Sequence, residues 1–93
     1  MDYLTEYKDT KSWVRKAILM NLLHTTRKLK GHWSVSLTAQ FFDVSIGLVS
    51  ENLKLAKAFD GRPELMKCES RQKALDVMER RNGARINFDE DDD

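Results

Sequence analysis

Apolar residues recur at helical spacing along most of the chain, so the pattern predicts an all-α fold. The longest such run covers residues 11–27 and carries apolar or small residues on one broad face. These are Val14, Ala17, Ile18, Asn21, Leu22 and Thr25, with Trp13, Leu19, Met20 and Leu23 widening the arc. We expect this helix to be the spine of the core, and its surplus apolar face could also form a dimer contact.

Residues 34–59 predict two helices joined by a short, sharp turn. The first covers 37–42, with Ser34 or Ser36 as its cap. The second covers 46–59 and begins after Ser45, whose hydroxyl can accept from the free N–H groups of the first turn. Val49, Leu53 and Ala56 form one apolar stripe on the second helix. The other side of that helix is left polar, with Gly47, Ser50, Glu51, Lys54 and Lys57.

This pair resembles the helix-turn-helix of DNA-binding proteins. Such motifs carry a small residue where the two helices touch, here Ala39, and an apolar residue that locks the second helix onto the first, here Val49. The turn position is usually Gly and is here Asp43, which tolerates left-handed geometry better than most residues. Asn52 stands where many members have an apolar residue, so we expect Leu53 to carry that core contact.

The local sequence is also similar to the helix-turn-helix of ParB-like and related phage and plasmid proteins. The similarity rests on Thr38-Ala39, Val44-Ser45, Val49-Ser50 and Leu53, followed by Leu55-Ala56-Lys57-Ala58 and Arg62-Pro63-Glu64-Leu65. It covers about a third of the chain. The resemblance implies that the second helix enters the major groove of double-stranded DNA and that the protein is a homodimer.

The resemblance also implies which side chains meet the DNA. The base-reading candidates are Ser45, Gly47, Ser50, Glu51 and Lys54, and the phosphate-binding candidates are Arg27, Lys28, Lys30, Thr38, Gln40 and Lys57. Gly47 would let the backbone approach closely, Glu51 could accept from cytosine N4, and Lys54 could reach guanine or a phosphate. The plainer alternative is that Glu51 and Lys54 are ordinary surface charges.

The flanking segments complete the predicted organisation into a lead-in, a domain and a tail. Residues 1–10 are expected to be a flexible lead-in, although Tyr3, Leu4 and Tyr7 could pack on the domain or on a partner. Residues 11–82 are expected to be the helix-turn-helix domain, and residues 83–93 an acidic tail. Within the domain, further signals mark the helix ends. Gly31 is expected to close the long helix in left-handed geometry. Pro63 is expected to open a short helix over 64–67. A last helix over 71–81 is expected to be capped by Ser70 and to end at Asn82-Gly83.

Charge is distributed unevenly along the chain. The net charge is +1, but residues 88–93 hold five of the fifteen acidic side chains. Residues 1–87 therefore carry 16 basic against 10 acidic side chains, an excess of six positive charges. No acidic residue occurs from Thr10 to Phe42, a segment with six basic residues that leads into the helix pair. Such a segment favours contact with phosphates, although basic residues can also simply solvate a helix face.

The chain offers little that points to catalysis, a metal or a membrane. The single Cys68 cannot form an internal disulfide, and it has no metal-ligand spacing with His24 or His32. There is no glycine-rich phosphate loop, no Ser-His-Asp set, and no apolar run of about 18 residues. The first ten residues are unlike a signal peptide. We therefore expect a cytoplasmic binding protein without enzymatic activity, cofactor or metal.

These observations predict a domain of about five helices that binds double-stranded DNA, as a phage, plasmid or bacterial regulator or a partition-type protein. Two alternatives stay open at this point. One is a DNA-recognition subunit of a larger machine, such as a phage packaging small subunit. The other is a protein-interaction adaptor that uses the acidic tail as its contact.

Overall fold

The prediction of an all-α domain of about five helices is confirmed. The structure, a computed structural model, describes the backbone of residues 2–86 and the side chains of residues 2–79. This part of the chain contains no strand. Its elements in order are α1 (Tyr3–Asp9), α2 (Trp13–Lys30), α3 (Val35–Phe42), α4 (Ile46–Gly61), a 3₁₀ helix (Pro63–Lys67) and α5 (Arg71–Ile86).

Four of the helices begin at a serine whose hydroxyl accepts an N–H of the first turn. Ser12 accepts from Arg15, Ser34 from Leu37, Ser45 from Leu48 and Ser70 from Lys73, at 3.1, 3.3, 3.1 and 3.2 Å. Each cap satisfies a donor that has no partner within the helix and contributes about 1 kcal/mol. The predicted caps of the last three helices, with Ser34 rather than Ser36 before α3, are confirmed.

The turn between α3 and α4 is closed by Asp43, which adopts the left-handed conformation at φ 59° and ψ 52°. The N–H of Asp43 donates to the Gln40 carbonyl at 3.3 Å, and the N–H of Val44 donates to the Ala39 carbonyl at 3.0 Å. These paired bonds satisfy the last carbonyls of α3 and turn the chain sharply. Val44 and Ala39 then both join the core. The expectation that Asp43 supplies left-handed geometry is confirmed.

The first hydrophobic cluster is built by α1, α2, α3 and the first half of α4. Leu19, Met20 and Leu23 of α2 supply its centre, and Val49 and Leu53 reach it from α4. The remaining buried members are Tyr7, Ala39 and Phe42, with the rings of Tyr7 and Phe42 4.7 Å apart. Much of the surplus apolar face of α2 is therefore covered by the protein's own helices.

The second cluster lies at the other end of the same two helices. Ala17 of α2 and Leu55 and Phe59 of α4 meet Leu65 of the 3₁₀ helix. Residues of α5 complete it, namely Ala74, Leu75 and Met78. Trp13 packs edge-on to Phe59 at 5.8 Å and donates its indole N–H to the Cys68 carbonyl at 3.0 Å. With both clusters formed, α4 leaves its polar face to solvent, together with the apolar Ile46 at its start.

Residues 3–9 are not the expected loose lead-in but a helix that belongs to the core. Asp2 caps it by accepting from the N–H of Thr5 at 3.1 Å, and Arg15 of α2 pairs with Glu6 at 2.8 Å. Tyr7 is buried, with the ammonium of Lys16 5.0 Å from its ring centre. Burial of an aromatic ring holds a seven-residue helix that would not persist alone.

Two features of the predicted helix ends were wrong. Gly31 follows the last residue of α2 as expected, but in an extended conformation, φ 163°, that any residue can adopt and not in left-handed geometry; α2 also runs three residues beyond the predicted range. Asn82-Gly83 does not end α5, which continues to Ile86. Helix propensity at single positions is weak compared with a continuing hydrogen-bond ladder. Most of the predicted acidic tail, residues 87–93, lies outside the described residues.

The second cluster makes a direct prediction about stability. Leu55→Ala removes a fully buried side chain between α4 and the rest of that cluster and should cost about 2–5 kcal/mol of unfolding free energy. Leu29→Ala, the same substitution at a residue 84% exposed on α2, should change it by less than about 0.5 kcal/mol. Urea denaturation of both variants measures the difference, and equal losses would contradict this core.

Candidate nucleic-acid interface

The polar face of α4 is solvent-exposed from its first turn to its last. Gly47, Ser50, Lys54 and Lys57 are all exposed, and their spacing of three and four residues places them in one row. Ser45 is exposed just before the helix, where its oxygen is occupied by the cap and its O–H proton remains free to donate. The structure therefore brings four of the five predicted base-reading residues together with Lys57.

Glu51 lies at the margin of this row and makes an ion pair with Arg71 of α5. Its side chain is 44% exposed, and that of Arg71 is 30% exposed. Arg71 also lies close enough to Tyr7 to act on it electrostatically, so the pair joins α4 to α5 beside α1. The carboxylate already has a charged donor, and accepting from a cytosine would require it to exchange that partner.

Thr38 was expected to bind phosphate, and the structure shows this to be wrong. The residue is fully buried, and its hydroxyl lies 2.7 Å from both the Trp33 indole nitrogen and the His24 Nδ1. A hydroxyl that is enclosed and bonded twice cannot reach a phosphate. Gln40, the other phosphate candidate on α3, is exposed.

The C-terminal turns of α2 present the basic residues predicted for phosphate contact. Arg27, Lys28 and Lys30 are all exposed. The guanidinium of Arg27 lies over two rings, 5.2 Å from Trp33 and 5.8 Å from Phe41. Stacking on aromatic faces orients a guanidinium while leaving its edge N–H donors available. Arg27 is thus held in place at the junction of α2 and α3.

A pocket of about 290 Å³ joins the basic end of α2 to α4. It is lined by His24, Thr25, Lys28, Leu29 and Lys57. Lys28 and Lys57 were predicted separately as phosphate contacts, and the fold places them around one opening. Burial lowers the pKa of His24, and the positive charges of Lys28 and Lys57 lower it further. The imidazole is therefore kept neutral at pH 7.

Two residues of this surface were missed from the sequence. Ile46, the first residue of α4, is 54% exposed beside Gly47 and could contact a thymine methyl group. Its spacing to Val49 and Leu53 matches the apolar stripe, so nothing in the sequence indicates that it is exposed. The sequence places His24 at no metal-ligand spacing and shows no other role for it, and its pocket forms only where α4 packs beside α2.

Comparisons with protein-family profiles, curated proteins and solved structures found no match to this chain. Among the described residues, no group of three His, Cys, Asp or Glu side chains could hold a metal ion. None of the described helices combines the length and apolar character needed to cross a membrane. No known protein therefore adds to the description of this candidate interface, which is defined by the geometry of the chain.

The environment of His24 predicts how stability depends on pH. Its pKa is lowered in the folded protein, so below its usual value of 6.5 the unfolded chain binds more protons. The stabilisation is complete above about pH 6.5 and is lost as the pH falls through the folded-state pKa. Urea denaturation between about pH 7.5 and 5.5 should show this loss, and His24→Gln should reduce it.

His32→Gln is the matched control, because His32 is exposed in the connection between α2 and α3. This variant should keep the wild-type pH dependence. If His24→Gln loses stability on acidification as steeply as the wild-type protein, groups other than His24 cause the loss.

Proposed function

We propose that this protein binds double-stranded DNA, with the exposed row of α4 in the major groove and the basic end of α2 against the phosphate backbone. The observation that carries the proposal is that row itself. α4 buries its apolar stripe against α2 and leaves Gly47, Ser50, Lys54 and Lys57 uncovered. A helix supported from behind and polar in front suits insertion into a groove that admits one α-helix.

Gly47 supports this orientation. A Cβ built at this position has no atom within 4 Å outside its own turn and chain neighbours, and its φ angle is negative. Nothing in the described part of the chain therefore requires glycine there, although glycine costs about 0.5–1 kcal/mol relative to alanine within a helix. Close approach of a partner to the backbone of the first turn of α4 would account for it.

The expected roles of the side chains follow from their chemistry and position. Ser50 can donate or accept at a base edge, and Lys54 can reach guanine or a phosphate. Ile46 adds an apolar contact for a thymine methyl group. Arg27, Lys28, Lys30 and Lys57 supply positive charge that holds the protein on the backbone without reading sequence, and Gln40 supplies a neutral donor.

We infer that the protein acts as a homodimer, as a regulator or partition-type protein would. The part of the α2 surface left for a second copy includes Leu22, which is 42% exposed. Leu22 borders an apolar groove of about 300 Å³ between α2 and α4, which the half-exposed Met66 also lines. Two copies joined there would present two α4 rows to one duplex.

A salt titration of binding to random-sequence duplex tests the central proposal. The affinity should fall linearly with the logarithm of salt concentration, with a slope of about 0.9 for each phosphate contacted. Selection of bound fragments from a random DNA pool should then yield a preferred site, and a two-fold repeated site would support the dimer. Binding without a steep salt slope, or no binding, would instead favour the adaptor function.

Gly47→Ala should weaken DNA binding without lowering the free energy of unfolding. The added methyl group meets open space, so stability should stay the same or rise by up to about 1 kcal/mol. Affinity for the selected duplex should fall about tenfold, equivalent to about 1.4 kcal/mol, because the methyl group holds the backbone away from the groove.

Gly61→Ala is the matched control at the other end of α4, where an added Cβ also meets open space. It should leave DNA binding unchanged, as measured by fluorescence anisotropy. Equal binding by both variants would remove the first turn of α4 from the interface.

A further inference from the structure

The pocket between α2 and α4 has the composition of an anion site. Lys28 and Lys57 supply two ammonium groups, Thr25 supplies a hydroxyl, and His24 supplies an imidazole edge. None of the described residues that line the pocket is acidic. The two lysines come from different helices, so the site exists only in the folded protein.

The hydrogen bonds behind His24 are compatible with the tautomer that carries its proton on Nε2. The Trp33 indole nitrogen can only donate, so its 2.7 Å contact occupies an acceptor position of the Thr38 oxygen. The Thr38 hydroxyl proton is then free to point to the His24 Nδ1, also at 2.7 Å. A neutral imidazole that accepts at Nδ1 carries its proton on Nε2.

In this tautomer Nε2 carries the proton, and the imidazole that bears it lines the opening. His24 can therefore offer an N–H donor to the pocket, with Thr38 at the Nδ1 side of the ring. Such a donor in a pocket that also has two ammonium groups matches the oxygens of a phosphate, which accept several hydrogen bonds at once.

We propose that this pocket seats one backbone phosphate of bound DNA, with Lys28 and Lys57 supplying the charge and His24 Nε2–H donating to a phosphate oxygen. The inference rests on the proposed function and extends it, because it makes His24 a DNA ligand. It also makes the Trp33–Thr38 pair a positioning device for that ligand. Arg27, stacked on the ring of Trp33, would hold a neighbouring stretch of backbone.

This arrangement couples DNA binding to protonation of His24. The charged groups that act on the imidazole are Lys28 on its own helix and Lys57 on α4, while α3 contributes the neutral Thr38. Both lysines disfavour the imidazolium form. A phosphate in the pocket offsets their charge and attracts a proton, so binding raises the pKa of His24 and tightens as the pH is lowered.

The test follows the two histidine side chains by NMR in the full-length protein. Their titration is recorded for the free protein, with a random-sequence duplex, and with inorganic phosphate. The duplex should raise the pKa of His24 more than that of His32, the internal reference in the exposed connection. An equal rise in pKa at both residues would reflect the general electrostatic field of the DNA and would overturn the proposed phosphate contact in the pocket.

Lys57→Ala provides a second measurement that leaves the buried Thr38 network in place. It should reduce the salt slope of DNA binding by about 0.9 and diminish the rise at His24. Lys67→Ala, which removes an exposed lysine of the 3₁₀ helix, is the matched control and should do neither.

The outcomes distinguish the two proposals. If the wild-type protein binds duplex with a steep salt slope but the pKa of His24 does not change, the proposed phosphate contact in the pocket is wrong and the proposed function stands. A response of His24 to inorganic phosphate but not to duplex would assign the pocket to a small anion and overturn the DNA contact. Absence of binding to any duplex would overturn both.

Discussion

The contact between α2 and α4 supports the whole domain, because both hydrophobic clusters draw on these two helices. One end of the contact packs Leu19, Met20 and Leu23 against Val49 and Leu53, and α1 and α3 close over it. The other end is completed by the 3₁₀ helix and α5. A small chain buries a limited fraction of its surface, so sharing two long helices between two clusters uses the available apolar residues fully. The same contact orients the polar row of α4 towards solvent.

Asn52 is the exception within that contact. It is buried, and among the described residues its amide nitrogen reaches only the sulfur of Met20 at 3.6 Å and its amide oxygen has no hydrogen-bond partner. Burying an unpaired acceptor costs about 1–3 kcal/mol, and a thioether is a weak acceptor for the nitrogen. Nothing else in the structure explains this asparagine. Leu53, expected to carry the core contact there, is buried beside it.

Some polar side chains link the helices to one another, and others remain exposed to solvent. Thr38, Trp33 and His24 form one buried network that ties α3 and its preceding connection to α2. Glu51 and Arg71 tie α4 to α5 at a partly exposed site, where an ion pair contributes little net stability. The lysines of α4 and of the last turns of α2 are exposed instead. Positive charge is thereby concentrated on the surface next to the helix pair.

Much of the local structure could be predicted from the sequence. The serine caps of α3, α4 and α5, the helical spacing of α2 and α4, and the left-handed Asp43 are properties of neighbouring residues, and the structure has them as expected. The lead-in was mispredicted because α1 depends on Tyr7 packing against Phe42, a contact between residues far apart in the chain. The end of α5 was misplaced at Gly83, and Gly31 lacks the expected left-handed geometry, because glycine permits a helix stop or a left-handed conformation without requiring either.

In the candidate site, too, some features follow from neighbouring residues and others depend on contacts between distant parts of the chain. The sequence by itself determined that α4 has a polar face with glycine, serine and lysine at helical spacing, since periodicity is set by the helix. Only the tertiary structure decided which of the nearby polar residues remain accessible. Thr38 and Lys28 look equally available in the sequence, yet packing encloses the first and brings the second to Lys57. Exposure and the meeting of side chains from different helices depend on how helices pack, and no local pattern specifies that.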